Sequence, residues 1–164
     1  MNAPAIRLAR NTDARHIADL SRCLIELGLR GWSWNPARVT HAIQHRNMCV
    51  IVAEAGSPTT QFAGFAIADF GDAHVHLSLL AVDATHQRQG VGSALMQWLE
   101  QSALTAGITD MHLELRTNNT GARGFYEGLG YTRVRAVPSY YGGVEAALKL
   151  HKPLGLQTSG ARQR

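Results

Sequence analysis

The segment from Leu79 to Leu95, LLAVDATHQRQGVGSAL, constrains the fold of this chain more than any other part of it. An apolar run that can form a strand ends at Val82, and a polar loop then leads to Gly90 and Gly92 at the start of an amphipathic helix. Glycine lets the backbone turn tightly and carries no Cβ that would block a ligand. Backbone N–H groups at the positive end of a helix dipole bind phosphate or pyrophosphate. The segment therefore predicts a strand, an anion-binding loop and a helix, in that order.

Three kinds of phosphate-binding loop can follow a strand in this way. A nucleoside-triphosphate loop would place Gly-Lys-Ser or Gly-Lys-Thr here, but the first lysine of the chain is Lys149. A dinucleotide fingerprint would require a third Gly or an Ala where Leu95 stands. Its acidic residue, about 20 positions further on, would be Glu114, which falls inside a predicted strand rather than at its end. The third pattern, Q/R-x-x-G-x-G/A, fits residues 87–92. It resembles the pyrophosphate loop of the GNAT family of N-acetyltransferases, which bind acetyl-coenzyme A (acetyl-CoA).

A second segment, from Leu113 to Tyr131, supports the same family independently. Its sequence, LELRTNNTGARGFYEGLGY, resembles the family's strand, Asn and A-x-x-F-Y-E-x-L-G-F element, with Tyr131 in place of the usual Phe. Asn119 or Thr120 can cap a short helix, and Gly130 is placed to stop it. With both motifs present in the family's order, the chain is identified as a member of the GNAT family.

The remaining apolar patterns predict a single α/β domain. We expect strands at residues 6–8, 48–54, 62–70, 74–82, 111–116, 131–137 and 145–152, with helices at about 36–45 and 93–106. A first helix after Thr12 is expected to end at Gly28, with one apolar face formed by Ile17, Leu20, Leu24 and Leu27. The resemblance implies the GNAT fold, a mostly antiparallel mixed sheet flanked by helices, with acetyl-CoA between two splayed central strands. Residues 1–152 would form one N-acetyltransferase domain, followed by a flexible tail at 153–164.

The resemblance also assigns residues to acetyl-CoA. Leu80, Ala81 and Val82 would hold the pantetheine arm through strand-like hydrogen bonds. The pyrophosphate would be held by Arg88, Gln89, Gly90, Val91, Gly92 and Ser93. Asn119 would contact the cosubstrate near the pantetheine. The backbone N–H of Val82 would stabilise the oxyanion that forms when an amine attacks the thioester.

Acetyl transfer also needs a base for the amine and an acid for the leaving thiolate. The resemblance gives the acid to Tyr126 of the F-Y-E element, although its ring could equally be a core residue. The sequence LELR places Glu114 where the branch that acetylates the N-terminal alanine of ribosomal proteins has its base. The branch that acetylates histone lysines has a Glu at the position of His76, and imidazole can also serve near neutral pH. A water relay is the third alternative, and a salt bridge or an exposed strand face would explain Glu114 and His76 without catalysis.

The acceptor is less constrained by the sequence. Trp32 and Trp34 lie in a link where the family usually builds its acceptor wall, but they could also close the edge of the core. Tyr140 and Tyr141 resemble a late loop that contacts the acceptor in the N-terminal-acetylating branch, or they form a simple hairpin. We expect a primary amine as acceptor, either a peptide or protein N-terminus or a small amine such as an amino acid, polyamine or amino sugar. A non-catalytic acyl-CoA-binding regulator is the alternative from another class.

Composition argues against several other classes. The net charge is +4 and the pI about 9.5, but no run of Lys and Arg alternates with aromatic residues, so a nucleic-acid partner is not expected. No apolar run approaches the length of a membrane span, and no signal peptide is evident. Cys23 and Cys49 have no metal-ligand spacing, which favours buried thiols in a reducing cytoplasm and no metal cofactor. The sequence leaves a monomer and a homodimer open.

Overall fold

The computed structural model describes residues 2–26, 33–141 and 145–155, without the side chains of 139–141 and 145. Within these residues the chain forms four α-helices: α1 Ala14–Leu24, α2 Pro36–Gln44, α3 Val91–Thr105 and α4 Thr120–Gly128. The same residues form seven strands: β1 Ala5–Leu8, β2 Met48–Ala55, β3 Gln61–Phe70, β4 Val75–Val82, β5 Asp110–Arg116, β6 Thr132–Tyr141 and β7 Glu145–Pro153. The predicted order of strands and helices is confirmed.

The described strands form one sheet in the order β1-β2-β3-β4-β5-β7-β6. Every neighbouring pair is antiparallel except β4 and β5, which are parallel because α3 carries the chain back across the sheet. The β4–β5 pairing is short. It starts at Val75 with Met111 and ends at Leu77 with Leu113, although both strands continue beyond that point. The two central strands therefore separate, as the resemblance implied.

A bulge in β4 marks the point of separation. In its pairing with β3, Ile67 lies opposite Leu79 while the next residue, Ala68, lies opposite Leu77, so Ser78 is an extra residue in β4. Because side chains alternate along a strand, one extra residue moves all later side chains to the other face of the sheet. Leu77 accordingly packs in the core under α3, whereas Leu79 packs in the core under α1 and α2.

The two cores fix the helices on opposite faces of the sheet. On the α3 face, the core includes Leu95, Leu99 and Leu113, all essentially inaccessible to solvent. On the other face, Ile17 of α1 and Val39 of α2 pack on the central strands. The start of α2 is set by local chemistry, since Pro36 follows Asn35, whose side chain accepts the Arg38 N–H at 2.9 Å.

The first helix is shorter than the sequence predicts. It ends at Leu24 rather than Gly28, and Leu24, expected on the buried face, is 44% exposed. The chain leaves the helix there because the buried Glu26 carboxylate accepts the backbone N–H groups of Ser33 and Trp34. Those bonds redirect the backbone toward α2. Leu27 and Gly28 lie outside the described residues.

The structure bears on two further expectations. Cys23 is exposed rather than buried, while burial of Cys49 raises the pKa of its thiol to about 11. Strand β7 continues to Pro153, and the next residue, Leu154, is buried and donates its N–H to the Thr109 carbonyl at 2.6 Å. The packed chain therefore reaches Leu154, and the division into a domain at 1–152 and a tail at 153–164 stays a prediction. Among the described helices, none combines the length and the apolar character that crossing a bilayer demands.

Candidate active site

The separation of β4 and β5 opens a cleft of about 630 Å³. Its walls are the free halves of these two strands, the loop after β4, the first turn of α3 and one side of α4. The structure brings together at this cleft most of the residues that the sequence singled out: Leu80, Ala81, Val82, Arg88, Gly90, Val91, Gly92, Ser93, Glu114, Asn119 and Tyr126. The site predicted from two separate motifs is thus a single cavity.

The loop between β4 and α3 is shaped by bonds among its own residues. The Asp83 carboxylate accepts the Thr85 N–H at 3.0 Å and the Thr85 hydroxyl at 2.6 Å. The Gln87 side-chain amide donates to the Val82 carbonyl at 3.1 Å. Arg88 adopts a left-handed backbone with φ of +61°, a conformation that non-glycine residues seldom take. The loop therefore returns tightly on the end of β4 and delivers the chain to the N-terminus of α3.

The two glycines of this loop are needed for different structural reasons. Gly90 precedes α3 with φ of +82°, and a Cβ there would meet nothing within 4 Å. Its requirement is therefore conformational. At Gly92 a Cβ would lie 3.1 Å from the ring of Phe125 on α4. Gly92 thus allows α3 and α4 to approach closely beside the cleft, a packing role that the sequence argument did not foresee.

Of the two glutamines in this loop, the structure places at the cleft the one that the prediction left out. Gln89, predicted to bind pyrophosphate, does not line the cleft as the described residues define it, and its side chain donates to the Thr85 carbonyl at 3.1 Å. Gln87, which the prediction omitted, does line the cleft. The signal for Gln87 was available, since it occupies the first position of the Q/R-x-x-G-x-G/A pattern.

The two candidate bases are in direct contact. His76 Nε2 and Glu114 Oε2 form a hydrogen bond across the point where β4 and β5 separate. Glu114 lines the cleft, whereas His76 on the neighbouring strand is not among the described residues that line it. The hydrogen bond from His76 lowers the pKa of the Glu114 carboxyl, and this effect exceeds the opposing effect of burial. Glu114 is therefore a carboxylate at neutral pH, oriented by an imidazole.

Tyr126 is held rigidly in the cleft wall. It is 7% exposed, and its ring meets Phe125 and Tyr131 edge to face at centroid distances of 5.0 and 5.7 Å. Tyr131 is fixed in turn, because its hydroxyl donates to Glu100 at 3.0 Å. Asn119 caps α4, its side-chain oxygen accepting the Ala122 N–H at 3.1 Å, and so sets the direction of the helix that carries Tyr126.

The opposite rim of the cleft is formed where α1 ends. Leu24 and Ile25 line the cleft there, and the sequence did not identify either of them as a site residue. The Ile25 carbonyl accepts a bond from the Arg116 guanidinium at 3.1 Å, which ties this rim to β5. Below it, the Glu26 carboxylate accepts the Ser33 N–H at 2.7 Å and fixes the start of the link to α2.

The aromatic residues predicted to bind the acceptor are only partly described. Trp34 is half-buried, packs against the core under α1 and α2, and carries the Arg38 guanidinium 4.0 Å from its ring centroid. It does not line the cleft as the described residues define it. Trp32 lies outside the described residues. Tyr140 and Tyr141 fall at the end of β6, and their side chains are outside the description.

The family follows from comparison with known proteins. The model of the acetyltransferase (GNAT) family matches residues 15–131, which is more than half of the chain. The chain belongs to this family and is an acetyl-CoA-dependent N-acetyltransferase.

Individual relatives point in the same direction. The chain is similar to the ribosomal protein bS18-alanine N-acetyltransferase of Escherichia coli strain K12, at 32% identity over 99 residues that cover 58% of this chain and 67% of that one. The crystal structure of the Escherichia coli ribosomal-protein-S18-alanine N-acetyltransferase covers 97% of this chain and 99% of its own, with a TM-score of 0.75 and 24% identity. The Arabidopsis thaliana NAA60 structure in complex with acetyl-CoA reaches a TM-score of 0.80 at 14% identity, over 93% and 99% of the two chains. At these identities the structural matches establish the fold.

Proposed function

We propose that this enzyme acetylates the N-terminal α-amine of a peptide or protein, with Glu114 as the base. The observation that carries the proposal is the contact between His76 and Glu114 at the wall of the cleft. A carboxylate that faces the cleft and is oriented from behind by an imidazole can accept the proton of an attacking amine, directly or through one water molecule. His76 acts in this scheme as a positioning residue for Glu114.

The remaining residues of the proposed mechanism surround this pair. The amine nitrogen attacks the thioester carbon and gives its proton to Glu114, and the N–H of Val82 donates to the developing oxyanion. The carbon–sulfur bond then breaks, and the Tyr126 hydroxyl gives its proton to the departing thiolate. If so, Tyr126→Phe, which keeps the ring packing, should lower kcat within the range of about 10²–10⁴-fold with little change in acetyl-CoA affinity. Unchanged turnover would remove Tyr126 from the mechanism.

The donor is proposed to lie along the free edge of β4. Leu80, Ala81 and Val82 would pair with the amides of its pantetheine arm, and Asn119 would contact it nearby. Arg88, Val91 and Ser93 stand with the two glycines where the backbone of α3 begins, and that helix N-terminus suits a pyrophosphate. The transfer as proposed requires no metal ion and no nucleic acid. The two free cysteines are compatible with the cytoplasmic location that we propose.

The choice of a peptide α-amine rests on three supports. An α-amine has a pKa of about 8, against about 10.4 for a lysine side chain, so one carboxylate suffices as its base. The bS18-alanine N-acetyltransferase is similar to this chain, at 32% identity over 99 residues. Tyr140 and Tyr141 resemble the late loop that contacts the acceptor in the N-terminal-acetylating branch.

A thiol-release assay with acetyl-CoA tests the acceptor. Peptides that begin with Ala or Ser should be acetylated at least about tenfold faster than the same peptides with a blocked N-terminus and a free lysine side chain. Spermidine and an aminoglycoside serve as small-amine controls. Turnover of a small amine with no turnover of any peptide would assign the enzyme to small-molecule acetylation. Tight acetyl-CoA binding without turnover of any amine would favour a regulator.

A further inference from the structure

Three histidines and one aspartate meet on the sheet beside the cleft but outside it. His112 on β5 lies directly opposite His151 on β7, and Asp110 precedes His112 by two positions on the same face. His74 stands just before β4, the other neighbour of β5. We refer to Asp110, His112, His151 and His74 as the histidine cluster. None of the four lines the cleft as the described residues define it.

The side chains of the histidine cluster are in contact. His151 Nε2 and Asp110 Oδ1 are 2.6 Å apart. The His112 ring meets the His151 ring edge to face at a centroid distance of 4.8 Å, and stacks on His74 at 4.3 Å. One ligand atom each from Asp110, His112 and His151 lies within 4.8 Å of the others. Three imidazoles and a carboxylate are therefore concentrated in one small region.

The central imidazole of this cluster has an unused nitrogen. Nδ1 of His112 is buried and has no hydrogen-bond partner in the described part of the structure. A neutral imidazole offers a lone pair, which is the form that binds a metal ion. Buried polar atoms are nearly always paired, so this nitrogen calls for a partner.

We propose that Asp110, His112 and His151 bind a divalent transition-metal ion of the zinc class. Two imidazoles and one carboxylate are a common donor set for such ions. Zinc bonds to nitrogen and oxygen are about 2.0–2.2 Å long, so side-chain rotations must draw the ligand atoms together and separate His151 from Asp110. The strand pairing holds the backbone positions while they do so. The ion would join β5 to β7 and is independent of the acceptor proposed above.

Calorimetric titration of the metal-free full chain with zinc chloride tests this site. The wild-type protein should bind one equivalent at the cluster with micromolar affinity or better. His151→Gln and Asp110→Asn should each weaken that binding at least roughly tenfold, the lower end of what loss of even an outer partner causes. His45→Gln is the matched control, because His45 lies near His41 on the α2 face and is remote from the cluster in sequence. It should leave the affinity of the cluster unchanged.

Protection from diethyl pyrocarbonate, read by mass spectrometry, tests the wild-type protein without any substitution. Zinc should shield His112 and His151 from acylation and leave the exposed His41 and His45 reactive. Unshielded cluster histidines at saturating zinc would overturn the proposal, as would wild-type affinity in both His151→Gln and Asp110→Asn. Because the footprint needs no variant, it decides the matter even if a substitution disturbs folding.

Discussion

The cleft has two rims, which we name after their proposed ligands: the donor rim is the loop after β4, and the acceptor rim is the end of α1. They are built in different ways. On the donor rim, the loop after β4 is held by bonds between near neighbours, such as Asp83 with Thr85 and Gln87 with Val82. On the acceptor rim, the end of α1 is held by Arg116, which is 91 residues away from Ile25 in sequence. The donor rim is thus a local backbone structure, whereas the acceptor rim exists only once the sheet has formed.

The difference explains what each rim can specify. A backbone loop with N–H groups at a helix N-terminus binds any ligand that carries the same pyrophosphate. A rim assembled from distant side chains can change its shape when one of those contacts changes. We therefore expect substitutions on the donor rim to alter acetyl-CoA affinity, and substitutions on the acceptor rim to alter the preference among amines.

The largest effect is expected where the two rims meet. Glu114→Gln keeps the size of the side chain but removes the base, so kcat should fall within about 10²–10⁴-fold. Acetyl-CoA affinity, measured by calorimetry, should change little. His76→Gln should cost less, since His76 only orients the carboxylate. Full turnover in Glu114→Gln together with an inactive His76→Gln would move the base to His76.

On the donor rim, substitutions of the two glycines should have different effects. Gly90→Val forces a branched residue into a left-handed backbone, and we expect acetyl-CoA binding to weaken by about 1–3 kcal/mol. Gly92→Val drives a side chain into Phe125, and should lower the free energy of unfolding by about 1–3 kcal/mol as well. The double variant Gly92→Val/Phe125→Leu tests this cause. Leucine is smaller than phenylalanine, so it should leave room for the valine and restore part of the stability. An unchanged acetyl-CoA affinity in folded Gly90→Val would remove the loop from the donor site.

The acceptor rim should respond to Glu26. Glu26→Gln weakens the bonds that fix Ser33 and Trp34, and a hydrogen bond to a charged group contributes about 1.5–3 kcal/mol. We expect the KM for a peptide to rise by about tenfold and the acetyl-CoA affinity to stay the same. Asp19→Asn, an exposed position on α1, is the matched control. Equal losses of peptide and acetyl-CoA binding would contradict the division of the cleft into two rims.

The smallest expected effect is a flat pH profile. The bond from His76 holds the pKa of Glu114 below its ordinary value of 4.5, so the carboxylate stays charged above that value and loses its charge only as the pH falls further. After correction for the fraction of free amine, kcat/KM should be level from pH 8 down to about 5. An acid limb within this window that disappears in His76→Gln would show that the imidazole itself must be unprotonated.

The same contrast separates what could be predicted from the sequence. The order of the elements followed from local patterns, the separation of the central strands from the family resemblance, and most of the residues that line the cleft from two contiguous motifs. The contact between His76 and Glu114 did not, because the two residues are 38 positions apart and only the parallel pairing of their strands joins them. The predicted end of α1 lies beyond the observed one, because the apolar periodicity of Leu20 and Leu24 continues past the point where Glu26 turns the chain. The packing role of Gly92 depends on a second helix, and no local pattern reports it.

The extra residue at Ser78 gives this sheet an open edge in its interior. Unpaired strand edges normally lie at the margin of a sheet, where they invite pairing with other chains and favour aggregation. Here the free stretch of β4 faces β5 across a cleft that α4 and the end of α1 also line, so the edge lies inside the sheet rather than at its margin. We expect a thin, flexible molecule that carries its own amide groups to complete the ladder there. A single inserted residue therefore creates an unpaired strand edge that selects its ligand by shape, where an edge at the sheet margin would favour aggregation.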